Sequence, residues 1–138
     1  MASLAEGNPA LIEDYFQRIE SLVAGADIVR FFNITYDKRS ASIGFIRGSL
    51  YFLDGSLLHL REFVDVEHGS ERYMYAYHYQ RPDGALAFRY DNTPHFPHLP
   101  TFPHHKHEGS EAHVVAASRV DLDTVLAEIR GFMSVQES

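Results

Sequence analysis

Apolar residues recur at helical spacing near the start of the chain. Leu11, Ile12, Tyr15, Phe16, Ile19, Leu22 and Val23 fall on one side, with Glu13, Arg18 and Glu20 elsewhere. The spacing predicts an amphipathic helix, with Asn8 placed to cap it, Pro9 suited to its first position and Gly25 a natural stop. The pattern then turns β-prone. Residues 27–36 hold Ile28, Val29, Phe31, Phe32, Ile34 and Tyr36, and a polar turn, Asp37-Lys38-Arg39-Ser40, follows. Residues 42–53 and 56–66 flank Asp54-Gly55, and residues 71–81 and 85–92 flank Pro82-Asp83-Gly84, both strong hairpin signals. These runs predict an antiparallel meander.

Strand parity adds detail. Tyr73, Tyr75, Tyr77 and Tyr79 share one face of the fourth strand, and Met74, Ala76, His78 and Gln80 the other. On the fifth strand Leu86, Phe88 and Tyr90 oppose Arg89 and Asp91. A two-residue loop at Asp83-Gly84 sets His78 across from Arg89 and Tyr77 across from Tyr90. Tyr77, Tyr79, Phe88 and Tyr90 then share a face, with His78 and Arg89 on the opposite one. Packing is the plainer role of the tyrosine stripe; Tyr77 and Tyr79 are also candidates for stacking on a base.

Residues 93–112 break every period. Pro94, Pro97, Pro100 and Pro103 predict a long loop, stiffened in φ. His113–Ala117 suits a short last strand, and Asp121 caps a helix with Leu122, Val125, Leu126, Ile129 and Phe132 on its apolar side. The expected fold is α+β: an antiparallel β-meander of about five to six strands with an N-terminal and a C-terminal helix packed on one face, in a single domain, residues 1–138.

Composition narrows the class. The 138 residues are 45% hydrophobic and 22% charged, which excludes global disorder. No apolar run approaches the ~20 residues that span a bilayer, and the first residues lack a signal-peptide pattern, so a cytoplasmic protein without a membrane partner is expected. Cysteine is absent, which removes disulfides, thiolate catalysis and Cys-based zinc sites. The net charge of −7 argues against a general nucleic-acid binder. The acidic excess lies at both ends, whereas residues 89–107 carry a net positive charge and five of the nine histidines.

That histidine density invites three readings. Imidazoles ligate metals, with Asp91 and Glu108 as further donors, but the spacings match no established motif and Lys106 opposes a cation. Imidazoles also divide general acid and base work on a phosphodiester, needing no cofactor, with a cationic side chain stabilising phosphate charge. Or they simply pack, the plainer reading for any one of them and the one given to His59, His68 and His113. In the acid–base reading Arg89, Asp91, His95, His104, His105, Lys106 and His107 are the catalytic candidates, and Tyr77, Tyr79, His78 and His98 the substrate-binding ones. Two of His95, His104, His105 and His107 would act as acid and base, Arg89 would hold the phosphate, and Asp91 would orient an imidazole.

Leu60-Arg61-Glu62-Phe63, the strand ending Tyr77-His78-Tyr79-Gln80, and above all Arg89-Tyr90-Asp91-Asn92, Pro94-His95 and Thr101-Phe102-Pro103-His104-His105-Lys106-His107 resemble the TumE-type family of small prokaryotic toxins. The resemblance spans roughly residues 27–132. The family pattern often carries a second His directly after the position of His95; here Phe96 stands there and His98 follows. The resemblance implies growth control and a cognate antitoxin protein as partner. Joined to the acid–base reading, it leads to a toxin-like, metal-independent ribonuclease acting on single-stranded RNA, with homodimer formation left open. The alternatives are a non-catalytic toxin that binds a protein target and a His-ligated metal-dependent hydrolase.

Overall fold

The computed structural model describes residues 11–69 and 71–137. Helix α1 (Ile12–Ala24) precedes seven strands: β1 (Val29–Lys38), β2 (Ile43–Phe52), β3 (Leu57–Asp65), β4 (Glu71–Gln80), β5 (Leu86–Asp91), β6 (His105–Glu108) and β7 (Val114–Ala116). Helix α2 (Leu122–Glu137) follows β7. The strands form one antiparallel sheet in sequence order, so each pairs with the next.

Local chemistry sets the turns. Gly55 and Gly84 adopt φ of 88° and 89°, the left-handed region that tight hairpins require. Tyr77 lies opposite Tyr90 and His78 opposite Arg89, as expected, but not through a two-residue loop: Arg81 pairs with Ala85 around Pro82-Asp83-Gly84, and a bulge with Ala87 as the extra residue restores the register. The bulge sets Leu86 opposite Gln80, out of step with Phe88 and Tyr90, which corrects its expected face. Tyr77, Tyr79, Phe88 and Tyr90 are buried on the face that the helices cover, with His78 and Arg89 on the open face. At α2, Asp121 accepts from the Thr124 backbone N–H at 3.0 Å, as expected of an N-cap. The proposed caps Asn8 and Pro9 lie outside the described residues; the described helix starts after Leu11, which makes no side-chain cap bond.

Both helices pack on one face, joining the sheet in a single core. Ile12, Tyr15, Ile19 and Val23 are the buried stripe of α1. Gly44 lets this helix approach β2: a Cβ there would meet the Phe16 ring at 2.5 Å and Ile12 at 2.6 Å. From α2, the Phe132 ring packs against Tyr79 and Phe88 at 5.9 and 6.0 Å. No described helix is long and apolar enough to cross a membrane.

Two further expectations are corrected. Seven strands replace five to six because residues 105–108, expected in the loop, pair with β5 as β6. The last proline is Pro103, so nothing after it removes a ladder donor. Tyr73 does not join the other tyrosines. A bulge at this end of β4 passes the pairing from Phe63–Met74 to Val64–Arg72, sending Arg72 to the core face and leaving Tyr73 57% exposed beside Phe63.

Candidate functional site

Period two places Arg89 and Asp91 on the open face of β5, and likewise His105 and His107 on β6. Pairing sets Arg89 opposite His107 and Asp91 opposite His105, so four chemically active side chains meet. Asp91 Oδ1 lies 2.9 Å from His105 Nε2, and its Oδ2 accepts from Arg89 Nε at 3.0 Å. Arg89 also reaches Glu111 at 2.8 Å and His107 Nε2 at 3.0 Å. The Phe96 ring closes over this cluster, 4.8 Å from His105 and 5.9 Å from His107. Asp91, His105 and His107 are buried beneath it.

The hydrogen bonds orient the two rings. His107 Nδ1 faces the Glu111 carbonyl at 2.8 Å and so carries the proton, leaving Nε2 to accept from Arg89. His105 Nδ1 faces the Pro103 carbonyl at 3.0 Å while Nε2 faces Asp91, so each ring nitrogen lies against an acceptor oxygen. Burial pushes the Asp91 carboxyl up, but the Thr93 backbone N–H, His105 and Arg89 outweigh it and hold it below its usual range. Asp91, His105 and His107 also have ligand atoms within 4.8 Å of one another, a two-histidine, one-carboxylate set. The Arg89 guanidinium, at 3.0 Å from both Asp91 and His107, brings a fixed positive charge to that point, which opposes a cation and suits an anion.

In front of the cluster a cavity of about 370 Å³ is lined by His59, Arg61, Ala76, His78, Arg89 and Asp91, among others. The His59 and His78 rings stand 6.2 Å apart, and His59 Nδ1 is 2.9 Å from Ser49 Oγ. Burial, then the nearby Arg89 charge, lowers the pKa of His78, which favours a neutral imidazole that accepts a proton. The cavity thus offers two imidazoles and two guanidiniums around one space.

Other candidates are dispersed. Lys106 alternates to the helix-covered face, where it pairs with Glu128 at 2.8 Å and lies over the Tyr90 ring at 5.0 Å. His104 bonds to the Tyr75 hydroxyl at 2.9 Å and stacks on that buried ring. His95 and His98 are exposed on the loop, flanking Phe96. Tyr77 and Tyr79 are 0% and 2% exposed, bonded to Glu62 and Ser56, and a ring enclosed in the core cannot stack on a base, which corrects that expectation. His59, expected only to pack, and Arg61 both line this cavity. Their signal lies in pairing: hairpin registers place His59 beside His78 and Arg61 beside Ala76.

A second buried carboxylate lies on the helix-covered face. Glu62, 1% exposed, accepts from Tyr77 at 2.6 Å and from Tyr15, and Arg72 donates to Tyr77 at 2.7 Å. Burial raises the Glu62 pKa despite these bonds. Alongside, a cavity of about 500 Å³ is bordered by Tyr15, Arg18, Arg72, Arg119 and Asp121.

A family model described as toxin TumE matches residues 16–133. No curated protein matches the chain. No solved structure matches it either.

Proposed function

The chain belongs to the toxin TumE family, and on that premise we propose that it is the toxic partner of a toxin–antitoxin pair and acts as a metal-independent ribonuclease. The observation that carries this reading is the cavity in which His59 and His78 face each other beside Arg61 and Arg89. His78 takes the proton of a ribose 2′-hydroxyl, whose oxygen attacks phosphorus. The bond from phosphorus to the 5′-oxygen breaks, and His59 gives that oxygen a proton. The products are a 2′,3′-cyclic phosphate and a 5′-hydroxyl end. Arg89 and Arg61 offset the charge that develops on the phosphoryl oxygens. Asp91, His107 and Glu111 orient Arg89, and His105 holds Asp91 in place. The cognate antitoxin protein suppresses this activity.

The test uses end-labelled single-stranded RNA with the purified chain in a chelating buffer. The expected result is cleavage that leaves cyclic phosphate ends and follows a bell-shaped pH profile. His78→Ala and Arg89→Ala should each lose about 100-fold or more while melting as folded proteins. Full activity of both folded variants would overturn the assignment. A second reading, a metal-dependent hydrolase, is favoured by one observation, the convergence of Asp91, His105 and His107 donors. Activity lost to chelator and restored by one divalent metal would replace the first reading with it. Toxicity without any RNA cleavage would point to a toxin that blocks a protein target.

A further inference from the structure

The open face carries an ordered array that reaches far beyond the cavity. Register pairing lines up Asn33, Ser49, His59, His78, Arg89 and His107 from β1 to β6. The adjacent row runs Thr35, Arg47, Arg61, Ala76, Asp91 and His105. At ~4.8 Å per strand, this polar stripe is roughly 24 Å long. Aromatic rings flank it. On one side Phe31 and Tyr51 stack at 4.2 Å and 11°; on the other Phe63 contacts Phe45 at 5.4 Å and Tyr73 at 5.6 Å. Phe31 is 54% exposed and Tyr73 57%, although burial is what normally justifies such rings.

Arg47 and Arg61 are direct cross-strand partners. Two like charges at that position destabilise a sheet, and neither arginine has an ion pair or side-chain hydrogen bond among the described residues. The carboxylates of the same face are engaged: Asp37 by Arg39, Asp91 by Arg89 and His105, and Asp65 by the Tyr73 hydroxyl. A polyanion along the stripe would remove the repulsion at Arg47 and Arg61. A duplex would present only phosphates, whereas exposed rings on both sides call for unpaired bases.

The geometry points to the open sheet face as a track for single-stranded RNA: the backbone follows Arg47 and Arg61 toward Arg89, and bases stack on Phe31 and Tyr73 at the margins. The length matches the short end of single-strand sites, about four nucleotides. This deepens the ribonuclease reading by naming how its substrate is held, and in that respect rests on it.

The experiment measures fluorescence anisotropy of a labelled oligouridylate bearing 2′-O-methyl groups, which binds without being cleaved, against the full chain at several salt concentrations. Arg47→Glu should weaken binding about tenfold or more and reduce the salt slope by about 0.7, the share of one phosphate contact on a single strand. Phe31→Ala and Tyr73→Ala should each cost about tenfold with the slope unchanged. Arg119→Glu makes the same charge change beside the cavity on the opposite face and should leave affinity unaltered. Binding lost in Arg119→Glu but kept in Arg47→Glu overturns the track, as does an affinity that none of the open-face variants moves, which would leave the face to a protein partner. The two readings fail separately. Binding that depends on Arg47, in a protein that never cleaves RNA, keeps the track and ends the ribonuclease reading. Cleavage with an unchanged KM in Arg47→Glu keeps the ribonuclease and ends the track.

Discussion

Glu62 and Asp91 are both buried carboxylates, 1% and 4% exposed, on opposite faces of one sheet, and they are driven in opposite directions. Glu62 is held directly by two tyrosine hydroxyls, and burial prevails to raise its pKa. Asp91 is held by a guanidinium, an imidazole and a backbone N–H, and these prevail over burial to lower it. Depth and partners act together: Glu62 lies deep in the core, where burial outweighs its tyrosine bonds, whereas Asp91 lies beside a cavity, where charged partners outweigh burial. The contrast matches position. The Glu62 cluster joins α1, β3 and β4 inside the core, whereas the Asp91 cluster backs a cavity and fixes an arginine at its wall.

The largest expected effect comes from removing Asp91. Asp91→Ala leaves Arg89 and His105 without their shared carboxylate, and urea unfolding should show a loss of about 3 kcal/mol, since breaking a buried pair strands its partners. A loss comparable to an ordinary surface substitution would break the comparison. Next in size are the isosteric changes. Asp91→Asn should cost about 2 kcal/mol, whereas Glu62→Gln should stay within about 1 kcal/mol at neutral pH, because an amide still bonds to both tyrosines without a buried charge. Equal losses in the two variants would remove the distinction.

The pH dependence sharpens the same contrast. Asp91 binds its proton less readily when folded, so its stabilisation is present above the ordinary value of 3.8 and is lost as pH falls through the lowered folded value. Glu62 binds its proton more readily when folded. Its contribution is full below the ordinary value of 4.5 and is lost as pH rises through the raised folded value. Stability curves of Asp91→Asn and Glu62→Gln against pH should therefore lose opposite slopes. The smallest effect is expected from Asp121, whose charge adds to the rise at Glu62. Asp121→Asn keeps a capping side chain for α2 and removes that repulsion, so the Glu62 slope should move slightly to lower pH. No movement would assign the whole rise to burial.

The sequence by itself determined the local rules of this protein. Glycines at the Asp54-Gly55 and Asp83-Gly84 turns located the hairpins, and strand period set that Arg89 and Asp91 share a face while Tyr77, Tyr79, Phe88 and Tyr90 share the other; the bulge at Ala87 that brings β4 and β5 into register came from pairing. Tight turns and period two are short-range properties, carried by a few adjacent residues. Tertiary structure decided the rest. Whether residues 105–108 stay in a loop or pair as β6 depends on the edge that β5 offers, and only that pairing separates His105 and His107 from Lys106 and His104. The bulge that turned Tyr73 outward also came from pairing. So did the alignment of Arg47, Arg61, His59 and His78 across successive strands, and the meeting of Tyr15 with Glu62 from elements 47 residues apart. Such contacts form when separate elements pack, and no period within one element encodes which partner a side chain will face.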